Sequence, residues 1–111
     1  MVKKLALCSL LFANILFASG SEVNVYSQRH YDSDKALFKK FEEKTGIKVN
    51  LITAKAEELV SRLSIEGANS PSDILITADI GNLYEAKERD LLQGVSSKVL
   101  EKNIPSHLRD E

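Results

Sequence analysis

Residues 23–34 decide the fold, and their sequence is Val23-Asn24-Val25-Tyr26-Ser27-Gln28-Arg29-His30-Tyr31-Asp32-Ser33-Asp34. The β-branched start predicts a short strand that ends near Tyr26, and the polar residues after it predict a loop that leads into an amphipathic helix. In open parallel sheets, ligands bind in the crevice at the carboxyl ends of the strands. The sequence therefore predicts that Arg29, His30 and Tyr31 lie at a ligand-binding edge.

The N-terminal segment has the pattern of a secretory signal peptide. Lys3 and Lys4 precede an apolar run over residues 5–17, and the small residues Ala18-Ser19-Gly20 follow it. A membrane-spanning helix needs about 20 apolar residues, so this shorter run favours a cleaved signal over a membrane anchor. We expect residues 1–20 to be removed on export to the periplasm, with cleavage after Gly20 or, as the alternative, after Ala18.

The chain without its signal peptide carries a mild negative charge and no thiol. Cys8 is the only cysteine and lies inside the predicted signal, so a disulfide cannot stabilise the exported chain. Removal of Lys3 and Lys4 leaves 13 basic and 16 acidic side chains, a net charge of −3. This balance argues against nucleic acid as a partner. The remaining length, about 91 residues, is enough for one small domain.

Short apolar runs alternate with longer amphipathic runs beyond the signal, which is typical of β–α units around a parallel sheet. The continuous apolar run Ile74-Leu75-Ile76 predicts that the third strand is the central one, because it suits a strand covered on both faces. We expect Asp32 or Ser33 to cap the first helix, and Gly46 and Gly67 to follow the ends of the first two helices. The predicted strands are 23–26, 48–53 and 73–77, and the predicted helices are about 33–44, 56–66, 81–89 and 97–102.

His30 and Tyr31 are both able to ligate a metal ion. Phenolate is a hard oxygen donor suited to ferric iron. A tyrosine, whose ordinary pKa is about 10, must lose its proton to bind a metal, and only a strongly charged cation can displace that proton. The residues alone leave two interpretations open. His30 and Tyr31 bind a metal, or they are only surface or packing residues, as a histidine and a tyrosine in a loop often are.

Two further charged residues have equally open roles. Arg29 either binds an anion or pairs with Asp32 or Asp34. Asp79 follows the third predicted strand, where it either faces the ligand-binding edge or caps the third helix. The sequence contains neither a nucleophile paired with a base nor a glycine-rich phosphate loop, so we do not expect an enzyme.

Four segments of the chain carry a resemblance to a known family. They are Tyr26-Ser27-Gln28-Arg29-His30-Tyr31, Phe41-Glu42-Glu43-Lys44-Thr45-Gly46-Ile47-Lys48-Val49, Ala54-Lys55-Ala56-Glu57-Glu58-Leu59 and Ser70-Pro71-Ser72-Asp73-Ile74-Leu75-Ile76-Thr77-Ala78-Asp79. With them, residues 21–111 resemble the N-terminal part of periplasmic ferric-iron-binding proteins, the solute-binding components of iron ABC transporters. The second segment is shared widely by solute-binding proteins, whereas the Arg29-His30-Tyr31 loop is more specific for iron.

The resemblance implies an α/β fold in which the chain forms part of the first lobe of a two-lobed, type II (Venus-flytrap) periplasmic binding protein. It also implies that His30 and Tyr31 bind Fe3+, that Arg29 binds a synergistic anion, and that an ABC permease in the inner membrane receives the iron. One branch of the family uses a carboxylate at the position of Ala78, so this chain fits the tyrosine-rich branch better.

The family's adjacent pair of tyrosines belongs to the second lobe, and the sequence ends before such a segment. We therefore expect a truncated chain, whose second lobe another polypeptide would have to supply. Two alternatives stay open. The chain captures another solute, such as an oxyanion or a polyamine, or it is a non-functional remnant of a broken reading frame.

Overall fold

The computed structural model describes residues 20–110, and the predicted signal peptide, apart from Gly20, lies outside them together with Cys8. Parallel strands alternate with helices, as the sequence predicts. The elements in chain order are β1 (Glu22–Ser27), α1 (Asp32–Thr45), β2 (Lys48–Thr53), α2 (Ala56–Glu66), β3 (Ile74–Ile76), α3 (Ile80–Glu88) and α4 (Lys98–Asn103), with short 3-10 turns at Gly67–Asn69 and Ser106–Leu108.

β1 is the central strand of the sheet. The strand order is β2-β1-β3, and both pairings are parallel. Val25 lies opposite Leu51 of β2 and opposite Ile74 of β3. The last part of β1 is also the most buried, since Val25, Tyr26 and Ser27 are at most 2% exposed. The loop that follows β1 therefore starts from the central and most buried strand, in the middle of the edge that is predicted to bind a ligand.

The prediction that the third strand is central is wrong. β3 has three residues and lies at one edge of the sheet, and Ile74 is 46% exposed. An apolar run also suits a half-covered edge strand, so composition does not separate the two cases. β1 tolerates its polar residue because Asn24 Oδ1 accepts a hydrogen bond from the Asn50 side chain of β2 at 3.1 Å.

Gly46 and Gly67 follow the first two helices as predicted, and the predicted N-cap of the first helix is wrong. Gly46 follows α1 in the left-handed conformation, with φ of 72°, and its N–H donates to the Glu42 carbonyl. At the other end, α1 begins at Asp32, so Tyr31 takes the N-cap position and the predicted cap residues fall inside the first turn. The Tyr31 carbonyl accepts from the backbone N–H groups of Asp34 and Lys35, at 3.1 and 3.3 Å, which closes that turn.

A small apolar core joins β1 to α2. Tyr26 packs with Leu59 and Leu63, all of them buried, and partly buried Leu75 and Leu91 flank this cluster. Every residue of α1, by contrast, is at least partly exposed. Within residues 20–110, no helix combines the length and the apolar character that crossing a membrane requires.

Candidate metal centre

The loop after β1 is fixed at its base by a buried serine. Ser27, 1% exposed, accepts a hydrogen bond from the Arg29 N–H and donates one to the Arg29 carbonyl, both at 3.0 Å. Gln28 ties the loop to the neighbouring strand, since its N–H donates to the Ile76 carbonyl and its Oε1 accepts from the Ala78 N–H, both at 2.9 Å. The backbone that leads to His30 and Tyr31 is therefore held on both sides.

His30 and Tyr31 lie side by side at the carboxyl end of the central strand. Their ring centroids are 5.7 Å apart with an angle of 33° between the planes. Both residues are exposed, and Tyr31 keeps 54% of its surface accessible. The structure thus brings together an imidazole and a phenol, which are nitrogen and oxygen donors, at the predicted edge.

Arg29 is paired with Asp34 of α1. Its Nε and Nη2 atoms donate to the two carboxylate oxygens of Asp34, each at 2.8 Å. This pairing raises the pKa of Arg29, first through the hydrogen bond and then through the charge of Asp34. The guanidinium carbon also lies 5.1 Å from the centroid of the Tyr31 ring. The ion-pair interpretation of Arg29 is confirmed, with Asp34 as the partner, while its anion-binding role stays a prediction.

Asp79 is a helix cap. Its Oδ1 and Oδ2 accept hydrogen bonds from the backbone N–H and the side-chain amide of Asn82, both at 2.9 Å. The backbone hydrogen bond, followed by the side-chain one, lowers the pKa of Asp79. The capping interpretation is confirmed. The residue before it, Ala78, has only a methyl side chain and so offers no metal ligand at this edge.

An open depression of about 370 Å³ lies beside His30. Its floor and walls come from the loops after β1 and β2, and they include Lys55 and the amide of Gln28. Residues 20–110 contain no group of three or more His, Cys, Asp and Glu side chains arranged to hold a metal ion. As candidate ligands, His30 and Tyr31 would supply two donors, whereas about six complete an octahedral shell.

Three residues of this site were missed or left open in the sequence. Ser27 has a weak local signal, because a serine two residues before its partner is typical of a side-chain turn. Gln28 has none, since its contact with Ala78 spans 50 residues of chain. Asp34 was one of two equivalent candidates for Arg29, and only the three-dimensional arrangement selects it over Asp32.

Known proteins similar to this chain share its fold. A ferric binding protein from Campylobacter jejuni is 65% identical, with a TM-score of 0.78, over 80% of this chain and 28% of that one. A Trichodesmium protein solved in complex with iron and citrate ligands is 49% identical, with a TM-score of 0.77, over 81% of this chain and 28% of that one. The predicted fold class, a parallel α/β part of a type II periplasmic binding protein, is confirmed.

Proteins with similar sequences agree with these structural matches. The Iron uptake protein A1 of Synechocystis is 52% identical over 88 residues, which is 79% of this chain and 24% of that protein. This chain thus spans about a quarter of the length of that relative. The model of the family described as bacterial extracellular solute-binding protein matches residues 26–110. The chain belongs to the bacterial extracellular solute-binding protein family.

Proposed function

We propose that this chain takes part in capturing ferric iron for import through an ABC transporter, with His30 and Tyr31 as iron ligands. The observation that carries the proposal is the pairing of these two side chains, with rings 5.7 Å apart, at the carboxyl end of the central strand. Similar proteins named for ferric iron or iron uptake support the choice of metal.

The chemistry of the two donors suits a trivalent ion. A phenolate oxygen is a hard, anionic ligand, and the charge of Fe3+ offsets the cost of removing the phenol proton. An imidazole nitrogen adds a neutral donor that iron accepts readily. The two residues follow each other in one loop, so they leave the opposite side of the ion to water, to a chelator or to other parts of a longer relative.

We further propose that the chain acts in the periplasm and delivers its iron to a permease of the inner membrane. The export pattern of residues 1–20 and the membership of an extracellular solute-binding family support this location. Arg29 is the proposed contact for a synergistic anion. Its pair with Asp34 uses Nε and Nη2, and Nη1 takes no part in that pair. One N–H edge of the guanidinium group therefore remains for an anion.

The test uses a ferric chelate that leaves part of the metal shell open. Nitrilotriacetate fills most of the iron coordination positions, and the protein completes the rest. Titration of the chain with ferric nitrilotriacetate should produce a visible phenolate-to-iron charge-transfer band. Tyr31→Phe should abolish this band, whereas Tyr84→Phe should leave it unchanged, because Tyr84 is an equally exposed tyrosine that lies on α3.

The histidine is tested in the same titration. His30→Ala should weaken the affinity for the chelate by about tenfold, the order found when the environment of a metal site is altered. His107→Ala is the matched control, because His107 is also exposed and belongs to a different element, the 3-10 turn at Ser106–Leu108. A band and an affinity that both substitutions in the loop leave unchanged would contradict the assignment of the site.

A further inference from the structure

We propose that Asp34 and Arg29 form a positioning pair that fixes the side chain of Tyr31 for the metal. The inference rests on the proposed iron-binding function and deepens it. Neither residue needs to touch the iron. Their role is to hold Tyr31, which is too exposed for burial to fix its ring, in one orientation.

Arg29 is immobilised at its backbone first. The buried hydroxyl of Ser27 bonds both the N–H and the carbonyl of Arg29 at 3.0 Å. Ser27 belongs to β1, so these two bonds anchor Arg29 to the central strand. The long arginine side chain therefore starts from a defined point, and its direction depends on what its guanidinium group contacts.

Asp34 then fixes the guanidinium group. Two parallel N–H···O bonds of 2.8 Å join the flat ends of both side chains, and such a bidentate pair constrains the plane as well as the distance. The Asp34 side chain is only 19% exposed, so water competes little for its oxygens. Because Asp34 belongs to α1, the pair connects this helix to the loop after β1.

Tyr31 lies between the two anchored residues. The first turn of α1 fixes its backbone, since the Asp34 N–H donates to the Tyr31 carbonyl at 3.1 Å. Arg29 contacts its ring, with the guanidinium carbon 5.1 Å from the ring centroid, a distance at which a cation attracts an aromatic face. Tyr31 is 54% exposed, so burial restricts its ring little, and the contacts with Arg29 and with the neighbouring His30 ring matter more.

This arrangement makes the orientation of Tyr31 depend on Asp34. Partners that orient a metal ligand typically change the metal affinity about 10- to 100-fold when they are removed. Loss of the Asp34 carboxylate would free the guanidinium from the Tyr31 ring. The phenol would then sample several rotamers, and binding the iron would require selecting one of them.

The first experiment is made without iron, on the full chain. The Cδ protons of Arg29, which take no part in its hydrogen bonds, should show an upfield ring-current shift by NMR relative to their position in Tyr31→Leu, and Asp34→Asn should remove that difference. Asp32→Asn is the matched control. Asp32 is the other acidic residue in the first turn of α1, and its 99% exposed side chain has only a 3.5 Å contact with Lys35. Both substitutions remove one negative charge from the same helix end.

The second experiment repeats the ferric nitrilotriacetate titration. Asp34→Asn should weaken the affinity about tenfold and broaden the charge-transfer band, while Asp32→Asn should match the unmodified chain. If circular dichroism finds Asp34→Asn unfolded, Asp34→Glu takes its place, because a glutamate keeps the charge and moves the carboxylate out of the bidentate geometry. For that variant the band and the affinity are compared with those of Asp32→Glu.

The outcomes separate the two proposals. A retained ring-current shift in Asp34→Asn, or an iron affinity equal to that of Asp32→Asn, overturns the positioning role and leaves the proposed function intact. If the unmodified chain binds no ferric chelate, the proposed function fails. The NMR comparison then decides alone whether the pair fixes Tyr31.

Discussion

At the scale of single residues, Glu66 links the apolar core to the surface. Its carboxylate accepts hydrogen bonds from the Ser70 hydroxyl and the Arg62 Nε, both at 2.6 Å, and from the hydroxyl of buried Tyr26 at 2.9 Å. These contacts, with that from Ser70 as the largest, lower the pKa of Glu66 from its ordinary value of 4.5. Burial in turn raises the pKa of Tyr26, which keeps the donated proton on the phenol.

This carboxylate predicts a pH dependence of stability. The pKa of Glu66 is lower in the folded chain than in the unfolded one, so its contribution is complete above pH 4.5 and is lost as the pH falls from there through the folded pKa. In urea unfolding between about pH 6 and pH 3, Glu66→Gln should reduce the loss of stability on acidification. Glu88→Gln is the control and should not change that loss, because Glu88 is an exposed carboxylate of α3. If the free energy of unfolding changed equally with pH in both variants, the role of Glu66 would be contradicted.

The location of the candidate donors was predictable at this scale, and their supporting contacts were not. His30 and Tyr31 directly follow a strand signal, which is enough to assign them to the carboxyl edge of a parallel sheet. The choice of Asp34 over Asp32 as the partner of Arg29 depends on where α1 starts, and that start is shifted by one residue from the predicted one. Local pattern defines such boundaries only to within a residue or two.

At the scale of secondary structure elements, Gly46 sets the direction in which the chain leaves α1. Its φ of 72° is a left-handed conformation, and a Cβ added there would meet nothing within 4 Å, so conformation alone determines the cost of a side chain. Gly46→Ala should lower the free energy of unfolding by about 1 kcal/mol in urea denaturation. Gly94→Ala is the matched control, because it has equally open space and no positive φ. If the two variants were equally stable, the left-handed conformation at position 46 would not require a glycine.

Element positions were predictable, and their pairing in space was not. β2 and α2 begin and end at the predicted residues, because hydrophobic periodicity and the glycine after α2 are local signals. The place of β3 at an edge depends on hydrogen bonds to β1, which is about 50 residues distant along the chain. A short apolar run carries no information on how many neighbours its strand will have.

At the scale of the whole molecule, the described part of the chain leaves much apolar surface uncovered. Ile80 is 83% exposed and Val99 67%, and edge strand β3 is short. We expect the purified chain to self-associate with rising concentration in analytical ultracentrifugation, because exposed apolar side chains favour contact between copies. Ile80→Lys combined with Val99→Lys should shift the distribution towards monomer. Asn69→Lys with Gln93→Lys adds the same charge at exposed polar positions and should not. A monomer at every concentration would contradict this prediction.

The contribution of residues 20–110 to a complete binding site is tested by transplanting them. The Campylobacter jejuni ferric binding protein is 65% identical to this chain and about three and a half times as long as the matched segment, since that segment covers 28% of it. A hybrid that carries residues 20–110 in place of that segment should bind ferric iron and show a phenolate-to-iron charge-transfer band. Under the proposed function, the rest of the parent would supply the donors that complete the iron shell beside His30 and Tyr31.

Substitutions within the hybrid locate the contribution of this chain. Tyr31→Phe should weaken the band and His30→Ala should lower the affinity by about tenfold, whereas Asp79→Ala, which removes a helix cap, should mainly lower the melting temperature. Thermal unfolding of each hybrid separates lost binding from lost folding. If the hybrid folds and neither substitution changes its band or its affinity, His30 and Tyr31 do not bind the iron. Membership of the solute-binding family would then not imply these two ligands.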